Sequence, residues 1–105
     1  MSLFVSIEDK EGEIIGRVFD INHLPGRFAG IKKGVCLRFL NDKEDTAFNQ
    51  AQLPFLMEEL KELQKENLSE TEAEELSQVL KSAEAIKGKP RHTIRFYGEE
   101  RPEIE

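Results

Sequence analysis

The sequence predicts an α+β domain: an antiparallel sheet of four to five strands with an αα-hairpin packed on one face. Three observations point there. Residues 3–8 and 13–19 are short runs of alternating apolar residues joined by turn chemistry, and 92–97 is another such run near the far end of the chain. Two amphipathic runs, 54–66 and 69–86, lie between. Only two or three residues separate these, so the helices are expected to lie antiparallel. Neither helix can bury its stripe alone, and neither can the sheet, so their mutual burial has to make the core.

Taken in order, "LFVSIE" (3–8) places Leu3, Val5 and Ile7 on one face and Phe4, Ser6 and Glu8 on the other. "DKEG" (9–12) is a turn, and "EIIGRVF" (13–19) returns as the second hairpin strand, with Gly16 marking a bulge. Residues 20–34 have no clean period and are punctuated by Pro25, Gly26, Gly30 and Gly34. Irregular stretches of this length are often functional or hide a helical turn. "VCLRFL" (35–40) reads as a third strand and "TAF" (46–48) as a brief returning one. Asn49 and Gln52 have capping-box spacing, and Pro54 belongs in a first helical turn. Leu53, Leu56, Met57, Leu60 and Leu63 form the first stripe, and Asn67 is expected to end that helix in a left-handed cap. Ser69 and Glu72 open the second helix as another capping box. Its stripe is Ala73, Leu76, Val79 or Leu80, Ala83 and Ile86, and Gly88 and Pro90 stop it. "HTIRFY" (92–97) is the last strand. A single domain is expected over residues 1–98, with 99–105 as a disordered tail.

The 105 residues are 38% hydrophobic and 34% charged, which suits a soluble globular domain. No apolar run approaches the roughly 18 residues that span a bilayer, and no signal-peptide pattern is visible. The one cysteine, Cys36, cannot form an internal disulfide, which fits a reducing, cytoplasmic setting. It lies in an apolar run and reads as a small core residue. The formal charge is −6, and residues 51–86 hold the excess, with 3 basic against 9 acidic side chains. That balance repels phosphates, so neither nucleic acid nor an anionic membrane is expected as a partner.

"NDKEDTAFNQ" (41–50) is the most chemically loaded stretch, and it fails as a calcium loop. Started at Asp42, it puts Ala47 where the EF-hand needs glycine and Leu53 where it needs glutamate. Started at Asn41, it puts Thr46 and Gln52 there. Its polar groups serve turning and capping. His23, His92 and Cys36 are isolated, with no HxxxH or CxxC, so no metal or cofactor is expected. "PGRFAGIKKG" lacks the phosphate-loop spacing. Glu58, Glu62 and Glu66 form an i, i+4 ladder of like charge, an acidic helix face suited to a basic partner.

The chain resembles a group of small uncharacterised bacterial proteins. The resemblance rests on the early strand hairpin, on "RFLNDKEDTAFNQAQLPFL" (an RF strand, an acidic turn, then TxFN leading into an LPxL helix), and on the closing "IRFYGEE". It implies an architecture and no activity, and it departs from the group's pattern at the "DKE" turn. The reading that follows is a non-enzymatic protein–protein interaction module, immunity- or inhibitor-like. It would meet an unidentified, basic protein partner, or a second copy of the chain, through Glu58, Glu62, Glu66, His23, Arg27 and Phe28. The alternative is an anion- or small-ligand-binding domain or minor enzyme in which Asp20, His23, Arg38 and Arg95 converge, the two Arg-Phe pairs sharing a face on neighbouring strands.

Overall fold

The computed structural model describes residues 2–98. The expected tail, 99–105, lies outside the described residues. Strands β1 (Leu3–Glu8) and β2 (Ile14–Ile21) form the expected hairpin. Asp9 builds its turn by accepting from the N–H groups of Glu11 at 2.9 Å and Glu13 at 3.0 Å. Gly16 sits in a bulge. Val5 faces Phe19 and Ile7 faces Ile15, so β2 fits Gly16, Arg17 and Val18 opposite the single residue Ser6.

Strand β4 (Thr93–Tyr97) is internal. It pairs antiparallel with β1 on one side and with β3 (Thr46–Phe48) on the other, giving a four-stranded sheet in the order β2-β1-β4-β3. The strand expected over residues 35–40 does not form. Leu37–Phe39 make one 3₁₀ turn instead. The run has strand composition, but its N–H groups donate to a helix carboxylate and are not free for a ladder. The irregular 20–34 stretch does hide a helical turn, α1 (Pro25–Phe28).

Helix α2 (Leu53–Leu63) is preceded by the expected capping box. Asn49 Oδ1 accepts from the Gln52 N–H at 3.1 Å, and Gln52 Oε1 accepts from the Asn49 N–H at 2.9 Å. Helix α3 (Glu70–Ile86) starts at the Ser69–Glu72 box. The left-handed cap expected at Asn67 is absent: Arg91 is the only non-glycine with positive φ among the described residues. Helix α2 instead tightens through i→i−3 bonds at Gln64, Lys65 and Glu66.

Leu56, Met57, Leu60 and Leu63 of α2 and Leu76, Val79, Ala83 and Ile86 of α3 share one buried cluster with Leu3, Val5, Ile94 and Phe96 of the sheet. Phe48 meets Phe96 edge to face, with ring centroids 5.9 Å apart. Ala73, assigned to the α3 stripe, is exposed, and the buried position on that turn belongs to Glu75.

The opposite face of the sheet holds a polar group. Glu8 accepts from Arg95 Nε at 2.9 Å and from the Tyr97 hydroxyl at 3.2 Å, and Ser6 Oγ donates to that hydroxyl at 3.2 Å. Every buried side-chain nitrogen and oxygen among the described residues has a partner.

Gln50 joins the end of α3 to the start of β4. Its Nε2 donates to the carbonyls of Ile86 at 2.9 Å and His92 at 3.0 Å, and its Oε1 accepts from the Gly88 N–H at 3.0 Å. Gln50→Ala removes all three bonds. It is expected to destabilise the fold by about 1–3 kcal/mol in urea unfolding, with the m-value unchanged.

Candidate functional site: a groove beside the second helix

Two helix glutamates position the segment that runs from β2 to the 3₁₀ turn. Glu75, on α3, is 8% exposed and points at the start of α1. Its carboxylate accepts from the N–H groups of Asn22 at 3.1 Å, His23 at 3.0 Å and Leu24 at 2.8 Å. A short helical turn leaves its first amides without internal partners, and an anion there satisfies them. Burial pushes the Glu75 carboxyl upward, but the donors from Leu24, Asn22 and His23 outweigh it, so the group stays ionised below the ordinary carboxylate range.

Glu59, on α2, does the same one step further along. It accepts from Val35 N–H at 3.0 Å, Cys36 N–H at 3.1 Å and Leu37 N–H at 3.0 Å. Gly34 makes this approach possible, with a φ of 100°. A Cβ at Gly34 would stand 2.7 Å from the Glu59 carboxyl carbon. The Cys36 thiol beside it is fully buried and pushed up to about 11, by burial first and by Glu59 second. It is an inert core group at neutral pH.

Arg27 ties α1 to the link between the long helices. Its Nε donates to Glu72 Oε2 at 2.6 Å, and its Nη2 donates to Glu72 Oε1 at 3.0 Å and to the Asn67 carbonyl at 3.1 Å. The Arg27 guanidinium, aided by Ser69, holds the Glu72 carboxyl down to about 2.

Held this way, residues 31–35 form one wall of a groove whose other wall is the outer side of α2. Its apolar surface comes from Ile31, Val35, Phe55 and Leu63, and Glu58, Glu62 and Glu66 stand along it. Val35 and Phe55 are 56% and 54% exposed, two of the three large apolar side chains so open among the described residues. All three glutamates are exposed, and only Glu62 has a cation in contact, Lys65 at 3.0 Å.

The other expected site residues fall elsewhere. Phe28 is 2% exposed and packs in the core, so it offers no surface to a partner. Arg27 is occupied by Glu72. Asp20 and His23 do not converge: His23 Nδ1 lies 3.3 Å from Glu75 Oε2, while Asp20 accepts from Asn22 Nδ2 at 3.0 Å. Arg38 stacks over the Phe39 ring at 4.6 Å, and Arg95 is bound to Glu8. The idea that the two Arg-Phe pairs share a sheet face fails, because only Arg95 is on a strand. None of the four principal cavities is lined by more than one of Asp20, His23, Arg38 and Arg95. Among the described residues, no group of three or more His, Cys, Asp or Glu could hold a metal ion, and no helix is long and apolar enough to cross a membrane. The acidic ladder was visible in the sequence. The apolar half of the groove was not, because the strand composition of residues 35–40 implies a buried Val35 and Phe55 lies off the leucine stripe.

No protein-family model, curated protein or solved structure matches the chain.

The two ionised anchors set an acid limit. Glu72 and Glu75 have folded-state values below their unfolded ones, so their stabilisation is complete above about pH 4.5 and lost as pH falls toward 2. Stability measured by denaturant from pH 6 to pH 2 should fall through that window. Glu75→Gln should be less stable at pH 6 and show a flatter decline. Gly34→Ala should cost about 1–3 kcal/mol, from positive-φ strain and displacement of the Glu59 carboxylate. Thermal denaturation checks it, and an unchanged Tm would show that the Glu59 contact contributes little.

Proposed function

We propose that this protein is a non-enzymatic interaction module whose binding surface is the groove between residues 31–35 and α2. The observation that carries the reading is the meeting of two features in one place: exposed apolar side chains, Val35 and Phe55, bordered by the exposed carboxylates of Glu58, Glu62 and Glu66. Apolar surface drives association with little preference among partners. The carboxylates add the preference, speeding encounter with cations and rejecting anions. The partner is therefore a positively charged segment carrying apolar anchors. An immunity- or inhibitor-like role, in which the module covers a basic functional surface of another protein, suits that chemistry. A reducing cytoplasm suits the buried, protonated Cys36.

The test uses two synthetic peptides with the same leucine pattern, one carrying lysines and the other glutamates in the polar positions. Fluorescence anisotropy should show the lysine peptide binding and the glutamate peptide not, with affinity falling as salt rises. Amide shift changes should centre on residues 31–35 and 55–66. Glu58→Lys, Glu62→Lys and Glu66→Lys together should keep the far-UV spectrum, since all three side chains point to water, and weaken the lysine peptide at least about tenfold. Equal binding of both peptides, or unchanged affinity in the triple variant, would remove the reading.

A further inference from the structure

We infer that the segment recognised by this groove is a helix: a basic amphipathic helix lying along α2. This rests on the reading above and adds the conformation of the occupant. The reason is the state of the groove's backbone. One wall is α2, whose amides and carbonyls are consumed by its own ladder. The other wall, residues 31–35, is not extended: it bends at Lys33, Gly34 and Val35, passes through a φ of 100° at Gly34, and gives its Val35 N–H to Glu59. Neither wall offers the straight, regularly spaced row of donors and acceptors that an added strand requires. An extended peptide pressed against Val35 and Phe55 would lose water from its own backbone and find no ladder to replace it. A helix arrives with its backbone already paired.

Charge selects among helices. Glu58 and Glu62 follow one another at i, i+4 on α2, about 6 Å apart along the axis at 1.5 Å per residue, and Glu66 stands just past the helix end in the tightened turn. Lysines or arginines at i and i+4 of a partner helix have the same pitch as Glu58 and Glu62, and apolar residues on the adjoining stripe then face Val35 and Phe55. Lys33 and Lys65 also line the groove, and four glutamates outnumber them. The long helices of a second copy do not fit. Residues 51–86, which contain both, are themselves acidic, with 9 acidic against 3 basic side chains.

Three lysine–leucine peptides of one composition make the test. The first has helical spacing, the second alternates as a strand, and the third is the first with two central residues changed to proline. Affinity is read by anisotropy and bound conformation by carbon-13 secondary shifts of labelled peptide. The helical peptide should bind at least tenfold more tightly than the other two and show helical shifts when bound. Phe55→Ala, at a half-exposed position the fold does not need, should weaken it several-fold. If the alternating peptide binds equally well, or the bound peptide is extended, the helix inference falls while the basic-segment reading stands. If no lysine peptide binds, both fall. A dimer in sedimentation that the triple charge reversal dissolves would also overturn the inference, by making a second copy the occupant.

Discussion

Carboxylates that reach out of helices to gather loose backbone amides organise this molecule. A sheet and two helices account for most of the buried surface, but they do not explain how residues 22–37 stay in place. That stretch has one helical turn, one 3₁₀ turn and three glycines, too little regular structure to satisfy its own backbone. Glu75 takes three of its N–H groups at the start, and Glu59 takes three more near its end. Each carboxylate would be costly to bury alone and each set of amides costly to leave unpaired, so the two costs offset when they meet.

The position of the groove follows from the same contacts. Glu59 points sideways from α2, between the buried leucine stripe and the outward glutamates, and draws residues 34–37 against the helix flank. Val35 is left on the outside, near Phe55, while Cys36 and Leu37 turn into the core. A structural anchor and a candidate binding surface thus share one helix. Glu58 and Glu62 flank the anchor on either side along the chain, yet they face water.

The sheet supplies the rigid base. Because β4 enters between β1 and β3, the first and last strands pair in the middle of the sheet, and the hairpin and the helices are closed by the last strand. Gln50 fixes where α3 stops and that strand begins. Such non-local closure is slow to form.

Much of the architecture was legible in the sequence because it depends on local chemistry. Alternation located β1, β2 and β4, the Ser69–Glu72 and Asn49–Gln52 spacings located the helix starts, and Gly16 located the bulge. Glu58 and Glu62 of the acidic ladder were legible for the same reason, being a matter of spacing on one helix, whereas Glu66 falls past the end of that helix because its last turn tightens. The fate of "VCLRFL" was not legible. Its composition suits a strand, and only the distant Glu59, by taking its amides, makes it a turn. Nor could spacing show that Glu75 would be buried, that His23 would turn to it and not to Asp20, or that Arg27 would be spent on Glu72. Each is a pairing across more than twenty residues, decided by which groups the packed core brings within hydrogen-bond reach. Periodicity along the chain therefore determined the elements and their apolar faces, whereas the sheet order, the course of residues 22–37 and the groove were decided by tertiary contact, because satisfying a buried amide or carboxylate depends on neighbours that sequence distance does not reveal.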